Sequence, residues 1–561
     1  MNDQAWANGI VDCCCRYGID HFFVAPGSRC TPLTLAIAQR SNAKIVQHFD
    51  ERGLAFAALG YGRATGKAGV FVCTSGTAVA NAYPAVIESS TEGVPLLLFT
   101  ADRPDELRGT GSNQTIEQRN IFGTYPELFR QMPVPQDLEV RSEPDPPGDT
   151  DTHEDERVFL SKTLHECFMA ARFGPVHVNW MFREPFTLEQ DGTPTEPETI
   201  GPPTSVAETD ESALIETKGD LLIALGRCNR DEAKAALELA DTLDCPLLAD
   251  ITSGLRNGSF ELPTDFSLPS PQTILHLGGR ITSKSWNQWT NSLRDTDVRF
   301  IHLTPTGRVI NPNRLRQELH RTSLETLTDK VKGKPTSKSF RDAWQDAART
   351  RTEAIENVLS QVDRLNEPAV ASYLCKHCPV SDALFIGNSM PIRDFDWYGT
   401  WTPEQPRSIF ANRGASGIDG LLATAAGVAI GTQRATTVVL GDLSTLHDLN
   451  SLALVANSPV AVIAVIINNQ SGHIFDLLPV RESQHFEQFF ATPHSLHFEQ
   501  AASLFGLPYQ QITSMSELDN AYNAAIAAGK SAVLEIVTDR RHNTEVRQQI
   551  RGEILRCSNL R

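Results

Sequence analysis

The sequence predicts an α/β protein of three domains, each a mainly parallel sheet flanked by helices, and three observations carry that expectation. Short apolar runs of strand length alternate with helix-length segments, the pattern of βαβ units. Two acidic, Pro-rich stretches without periodicity interrupt the alternation. The chain has 561 residues, against roughly 100–200 for one domain, so three or four cores are expected.

The first unit begins with "HFFVAPGSR" (21–29) and reaches "GVPLLLFTADRP" (93–104). Three short apolar strands are read there, separated by helices such as "ERGLAFAALGYGRATG" and "AVANAYPAVIESSTEG". "GPVHVNW" (174–180) reads as its last strand, giving a domain over 1–188. Within it, "SEPDPPGDTDTHEDER" (142–157) is expected to be a solvated surface loop. "EQDGTPTEPETIGPPTSVAETDE" (189–211) reads as a linker, assigned to 189–218. "DLLIALGRCNRDEAKAALELADTLDCPLLAD" (220–250) then opens a strand–helix–strand pattern, which continues through "TILHLGG" (273–279) and "DVRFIHLT" (297–304). "DKVKGKPTSKSF" (329–340) breaks it, and the middle domain is set at 219–345. A third α/β unit, 346–561, runs from "ALFIGNSM" (383–390) to "SAVLEIVTD" (531–539). The first and third units are both of six-strand size.

Composition excludes several classes. Apolar residues make up 40% and charged residues 21%, ordinary for a globular protein with packed cores. The longest apolar stretch, "VAVIAVII" (460–467), is far below the ~20 residues that span a bilayer, and the N-terminus shows no secretory pattern. A cytoplasmic protein without a membrane partner is expected. Eleven scattered cysteines read as reduced thiols. "CKHC" (Cys375, Cys378) has the spacing of a zinc or redox pair, but one isolated pair cannot complete a tetrahedral site. A net charge of −18 disfavours nucleic acid, so any anionic small molecule needs a local cationic pocket.

The chemistry-bearing feature is a pair of strand ends. "VVLGDLS" (438–444) ends an apolar run in Gly441-Asp442, and "VIINNQSGHIF" (465–475) ends the next in Asn468-Asn469. The interval fits one helix and one strand. A carboxylate and an amide at the carboxyl edge of a sheet, where open α/β sheets bind ligands, are hard oxygen donors for Mg²⁺ and, through it, a diphosphate. Taken alone, Asp442 could equally cap the following helix.

At these residues the chain resembles the thiamine diphosphate enzymes, whose signature is Gly-Asp-Gly followed some 25–30 residues later by an Asn pair; here Leu443 replaces the last Gly. "GDLS" with "NNxxGxIF" narrows the resemblance to the 2-succinyl-5-enolpyruvyl-6-hydroxy-3-cyclohexene-1-carboxylate synthases, the carboligases of menaquinone biosynthesis. "VAPGSRCTPL" (24–33), "HFDERGLAFAALG" (48–60), "CTSGTAVANAYPAVIE" (73–88), "TADRP" (100–104), "GNSMPIR" (387–393) and "NRGASGIDGLLATAAG" (412–427) agree. In the middle domain only "LGGRITSK" (277–284) does. Cys30 stands where the family usually has Ser, and a neighbour effect without loss of activity is expected.

The resemblance implies the three-domain thiamine diphosphate-enzyme fold: a pyrimidine-binding, a Rossmann-like and a diphosphate-binding domain. It also implies a homodimer or homotetramer whose sites are shared between subunits. Residue by residue, it makes Glu51 the catalytic partner of the aminopyrimidine N1′, favouring the tautomer whose N4′ takes the thiazolium proton. By local pattern alone Glu51 would simply suit a helix N-terminus. Ile418 matches the apolar prop of the bent cofactor, although an Ile in a helix is ordinarily core. Asp442, Asn469 and the Ser471 carbonyl match the ligands of Mg²⁺ or Mn²⁺. Leu443 and Ser444 lie where backbone N–H groups meet the diphosphate, and Gly441, Ile474 and Phe475 complete the cofactor set. Ser28, Arg29, Arg103, Gln114, Lys284, Ser389, Arg393 and Arg413 match substrate-contact positions. Ser389, Arg393 and Arg413 are assigned to the succinyl end, and Arg29, Arg103 and Lys284 to isochorismate.

The implied reaction is a decarboxylating 1,4-addition of 2-oxoglutarate to isochorismate, two dianions that call for fixed cations. Another thiamine diphosphate carboligase or decarboxylase would act on a different 2-oxo acid such as pyruvate. A nucleotide-binding oxidoreductase would need G-x-G-x-x-G in the middle domain, where "ALGRCNRDEA" has one glycine. A non-catalytic binding protein would have no use for Glu51, Asp442 and Asn469 together. As a solvated insertion, 142–157 can be deleted with turnover expected to stay nearly unchanged in a steady-state assay.

Overall fold

The computed structural model describes residues 2–135, 156–184, 186, 214–256, 258–400 and 406–558. The linker stretch 189–211 lies outside the described residues, as does all of 142–157 except its last two positions. By density of internal contacts the chain forms two units. One comprises Met1–Ala207, Gly414–Gln433 and Asn450–Asn457; the other comprises Glu208–Arg413, Arg434–Leu449 and Ser458–Arg561.

The first unit holds a six-stranded, wholly parallel sheet of β1 (His21–Val24), β2 (Lys44–Gln47), β3 (Gly69–Cys73), β4 (Leu96–Asp102), β5 (Leu128–Met132) and β6 (Pro175–Met181), in the order β2-β1-β3-β4-β6-β5. The interior strands β3, β4 and β6 are buried along their whole length, which is why they read as continuous apolar runs. The edges do not. β2 is mostly exposed and β5 mostly half-buried, so four strands stand between 21 and 104 where the apolar pattern indicates three.

Helix Glu51–Thr65 starts where Asp50 accepts the N–H groups of Arg52 and Gly53, and it stops at Gly66 with φ 69°. Its buried face meets helix Leu421–Thr432, which is buried from Leu421 through Ile430. The two backbones touch. A Cβ on Gly60 would lie 2.1 Å from the Thr424 carbonyl oxygen, and one on Gly427 2.0 Å from that of Ala57. Glycine is required here by close approach. Around this crossing a core forms from Leu54, Phe56, Leu59, Val86, Phe71, Ala423 and Ile430.

The second unit contains three further parallel sheets. The pair β7 (Ile215–Glu216) and β13 (Val331–Lys332) flanks five strands, β8 (Leu221–Leu225), β9 (Leu247–Ala249), β10 (Thr273–Leu277), β11 (Arg299–Thr304) and β12 (Gln317–Arg321), in the order β12-β11-β10-β8-β9. The last sheet has β14 (Ala383–Ile386), β15 (Ser408–Phe410), β16 (Thr436–Gly441), β17 (Val462–Asn468), β18 (Tyr509–Ile512) and β19 (Ala532–Val537), in the order β15-β14-β16-β17-β19-β18. That order is the one found in the first unit, so the two six-stranded sheets share a topology. Helix Lys338–Leu359 runs unbroken across position 345 and packs through Ala354 and Ile355 on Val546, Ile550 and Ile554 of helix Arg540–Ser558. Among the described residues no helix is long and apolar enough to cross a membrane.

Gly427→Ala forces a methyl into the Ala57 carbonyl. It is expected to cost about 1–3 kcal/mol, as overpacking does, seen as a lowered midpoint in chemical denaturation.

Candidate active site

In the last sheet the chain leaves β14 for the edge strand β15 and returns as β16, so the order reverses between β14 and β16. Ligands bind open α/β sheets at the carboxyl ends of strands beside such a switch point. Gly387-Asn388-Ser389 follows β14, Gly441 ends β16, and Asn468 ends β17, with Gly441 in register with Ile467.

Parallel pairing therefore brings the Gly-Asp and Asn-Asn stretches together. Asp442 is 3% exposed. Its Oδ1 accepts the Leu443 N–H at 2.6 Å, while the Gln470 N–H goes to Asn468 Oδ1 at 3.1 Å. The Asp442 Oδ2 is buried without a hydrogen bond, and His494 Nε2 lies 3.4 Å from it. Burial pushes the carboxyl up to about 6. The two asparagines divide the work. Asn468 donates to Glu535 Oε1 at 2.7 Å and to the Leu496 carbonyl at 2.9 Å, so it tethers the strand end. Asn469 donates Nδ2 to Glu367 Oε1 at 2.7 Å, while its Oδ1 accepts the Ser471 N–H at 3.2 Å. Between them Gln470 is held at φ 61°, a conformation that costs a non-glycine residue energy and clusters at functional sites.

An orphaned buried carboxylate oxygen, an amide oxygen and a neighbouring carbonyl make an all-oxygen donor set, which fits a hard divalent cation. A Cβ on Gly441 would meet nothing within 4 Å, so space lies open beside Asp442. The N–H of Leu443 is already engaged by Asp442, and Ser444 is buried. Ile474 and Phe475 lie in the 3-10 turn His473–Leu477, with Phe475 set edge-on to Phe490 at 5.9 Å.

Ser389 stands at φ 71° before helix Met390–Tyr398. Arg393 donates to its carbonyl at 2.5 Å, and Arg413 donates to Asn388 Oδ1 at 2.7 Å. Burial first, and the Arg413 charge second, pull the Arg393 guanidinium below its usual value, so these two cations lie within electrostatic reach of each other. Lys284 is exposed at the start of helix Lys284–Ser292, which Ser283 caps.

The first unit carries the other expected residues. β1 and β3 flank the equivalent switch point, where a Cβ on Gly27 would lie 2.3 Å from the Thr74 side chain. Ser28 is exposed and Arg29 buried. Arg29 donates to the Phe182 carbonyl at 3.0 Å and to Glu184 at 2.6 Å. Burial lowers its guanidinium, Glu184 opposes that, and Arg103 lowers it further. Arg103 donates to Ser75 Oγ and to the Gln114 carbonyl, and Gln114 sits at φ 53°. Glu51 is half-buried in the first turn of its helix, close enough to raise the buried Cys73 thiol after burial itself has done so. Ile418 lies in the turn before helix Leu421–Thr432 rather than in a helix, and is 39% exposed.

Other residues near these positions were not singled out by sequence. Glu88 accepts the N–H groups of Gly414 and Ala415 at 3.0 and 2.7 Å, fixing the loop that leads to Ile418, and pairs with the buried Arg63 at 3.0 Å. Glu92 lies 3.5 Å from the same guanidinium. Their four-residue spacing on a buried helix face was a legible signal. Asn543 and Arg547 likewise interrupt an apolar stripe with Val546, Ile550 and Ile554. His494 lies 52 positions beyond Asp442 in the numbering, and no local pattern marks it. Cys375 and Cys378 are buried free thiols, the first pushed up to about 12 by burial.

Each unit thus has a switch-point edge with its own charged set: Glu51, Arg29 and Arg103 in the first, and Asp442, Asn469, Arg393 and Arg413 in the second. The class of the protein follows from the match of residues 5–121 to the thiamine pyrophosphate enzyme N-terminal TPP binding domain, of 198–386 to the middle domain of thiamine pyrophosphate, and of 397–536 to the C-terminal TPP binding domain. The X-ray structure of a chain from Mycobacterium smegmatis, described as a thiamin diphosphate-dependent enzyme, superposes with a TM-score of 0.69 at 14% identity, over 95% of this chain and 99% of that one. That likeness speaks to the fold. Among curated relatives, the 2-succinyl-5-enolpyruvyl-6-hydroxy-3-cyclohexene-1-carboxylate synthase of Salinibacter ruber is 38% identical over 98% of this chain and 96% of its own length. The enzyme of the same name from Rubrobacter xylanophilus is 39% identical over 98% of both, and that of Chlorobium phaeovibrioides 35% identical over 98% and 97%. The chain belongs to the 2-succinyl-5-enolpyruvyl-6-hydroxy-3-cyclohexene-1-carboxylate synthase family of thiamine diphosphate enzymes.

Glu88→Ala would leave the Arg63 charge buried with less compensation. It is expected to destabilise the protein by about 3–5 kcal/mol, as breaking a buried pair does, measured by equilibrium unfolding.

Proposed function

We propose that this protein catalyses the thiamine diphosphate- and Mg²⁺-dependent decarboxylating addition of 2-oxoglutarate to isochorismate, releasing CO₂ in menaquinone biosynthesis. Near full-length identity to synthases of that name carries the reading. Bound thiamine diphosphate supplies the carbanion equivalent that the side chains cannot. The chain's own residues hold, orient and screen.

Asp442 and Asn469, with the Ser471 carbonyl, are read as the ligands of Mg²⁺ or Mn²⁺, and the open space at Gly441 leaves room for phosphate oxygens. Glu51 is read as the carboxylate that shares a proton with the aminopyrimidine N1′. Its helix is locked through the glycine crossing at Gly60, so its place is set by backbone contact. Ile418 offers an exposed apolar side chain from a loop whose backbone Glu88 holds, as a prop for the cofactor requires.

Both substrates are dianions, and the chain as a whole carries −18. Arg393 with Arg413, and Arg29 with Arg103, are cation pairs that depress one member by burial and mutual repulsion. A bound carboxylate relieves both costs, since charge-assisted bonds to guanidinium are strong and bidentate. The first pair, with Ser389, is assigned to the succinyl end. The second, with Lys284, is assigned to isochorismate, and Gln114 joins the substrate-contact set. As the resemblance implies, the enzyme is read as a homodimer or homotetramer, and it is read as cytoplasmic.

Protein, thiamine diphosphate, Mg²⁺, 2-oxoglutarate and isochorismate together should consume isochorismate and yield a product of the mass expected for succinyl transfer less CO₂. Leaving out any component should stop it, and replacing 2-oxoglutarate by pyruvate should not support it. Unchanged isochorismate in the full mixture would overturn the substrate assignment. Glu51→Gln should lower turnover ~10²–10⁴-fold with an unaltered unfolding midpoint. Arg413→Ala should raise the KM for a substrate or lower turnover, and unchanged constants would remove it from the site.

A further inference from the structure

Glu367 opens helix Glu367–His377 and is 1% exposed. Its Oε1 accepts the Nδ2 groups of Asn469 at 2.7 Å and Asn543 at 2.9 Å, and its Oε2 accepts from Arg547. Arg547, from helix Arg540–Ser558, also grips both oxygens of Asp394, at 3.0 and 2.6 Å, and donates to His473 Nε2 at 2.9 Å. One buried guanidinium thus ties together the start of one helix, the helix that carries Arg393 and the turn that carries Ile474 and Phe475.

We propose that Glu367 is a positioning residue for cation binding: it dictates which end of the Asn469 amide is offered to the metal, and Arg547 holds it in place to do so. The inference rests on the reading of Asn469 as a metal ligand. The two ends of an amide have nearly the same shape, so its orientation is decided by its partners. A carboxylate that also pairs with a guanidinium can only accept. It therefore takes the Nδ2 end and turns Oδ1 to the opposite side, where the Ser471 N–H already points at it. A half-turn of the amide would set Oδ1 against the carboxylate and present two hydrogens to the cation. A hydrophobic cluster could join the same three elements without burying charge; it could not orient an amide.

In Glu367→Gln one terminal atom becomes NH₂. Facing Arg547 it would oppose a charged donor; turned the other way it meets the Nδ2 groups of Asn469 and Asn543, and since Asn543 is held by the Glu367 N–H at its Oδ1, Asn469 relieves the clash by swinging its Oδ1 away from the cation to accept it. Partners of metal ligands are typically worth 10–100-fold in affinity. The test uses the full-length protein with thiamine diphosphate, titrated with Mn²⁺, reading free Mn²⁺ by electron paramagnetic resonance. Asn469→Ala is expected to weaken Mn²⁺ at least about tenfold. Glu367→Gln is expected to weaken it about 10–100-fold. In the Asn469→Ala background Glu367→Gln should add less than about twofold, because the coupled residue is gone. If Asn469→Ala leaves Mn²⁺ affinity unchanged, the ligand reading itself fails. If Asn469→Ala weakens binding but Glu367→Gln does not, or acts equally in both backgrounds, the ligand stands and the positioning role is overturned. Should Glu367→Gln not fold, Glu367→Asp keeps the charge and withdraws the contact, and the same dependence on Asn469 decides.

Discussion

The pairing of β16 with β17 is the constraint on which the diphosphate-type edge depends. Parallel strands in one register end at the same level, so Gly441 beside Ile467 leaves Asp442 and the Asn468-Asn469 turn next to each other. Nothing in either segment alone could do this. Once the ends are level, every polar group there must find a partner or stay unsatisfied. Asn468 is satisfied by Glu535 and the Leu496 carbonyl, Asn469 by Glu367 and Ser471, and the Asp442 Oδ2 is left over. The Ser471 hydroxyl and His494 Nε2 beside it are likewise buried without hydrogen bonds.

The first unit repeats the same strand order, and its switch point is equally tight: Gly27 touches Thr74, and Arg103 reaches across to Ser75 and Gln114. Gln114, Ser389, Ser416 and Gln470 all take positive φ without being glycine, and each lies in or beside a stretch assigned to substrate or cofactor. Residues held this way persist only because their surroundings over-determine them.

Charge is distributed against the global balance. In an acidic chain the buried guanidiniums of Arg29 and Arg103 and the half-buried one of Arg393 cost desolvation, as the depression of Arg29 and Arg393 records. Arg63 and Arg547 are different. They are paired with Glu88 and Glu92, and with Glu367 and Asp394, and so hold backbone and side chains in place. Burial alone would lift Glu367, yet the Arg547 charge and, after it, the Asn469 hydrogen bond keep it below its ordinary value.

The interior strands, the alternation that makes the protein α/β, and the Gly-Asp and Asn-Asn strand ends were legible in the sequence. Strands buried on both faces must be apolar throughout, and a strand end must declare itself by a break in that run. The edge strands β2, β5, β12, β15 and β18 were not legible, because a strand with one open edge tolerates polar residues and loses its pattern. Tertiary structure alone decided that Asn468 is a tether while Asn469 faces Glu367, that His494 stands 3.4 Å from Asp442, and that Ile418 is exposed in a turn. It also decided that Glu88 grips the loop before Ile418. The physical reason is the same each time: local sequence sets the period and polarity of an element, whereas the partner of a buried polar group comes from a distant segment and is chosen only when the sheets and helices pack.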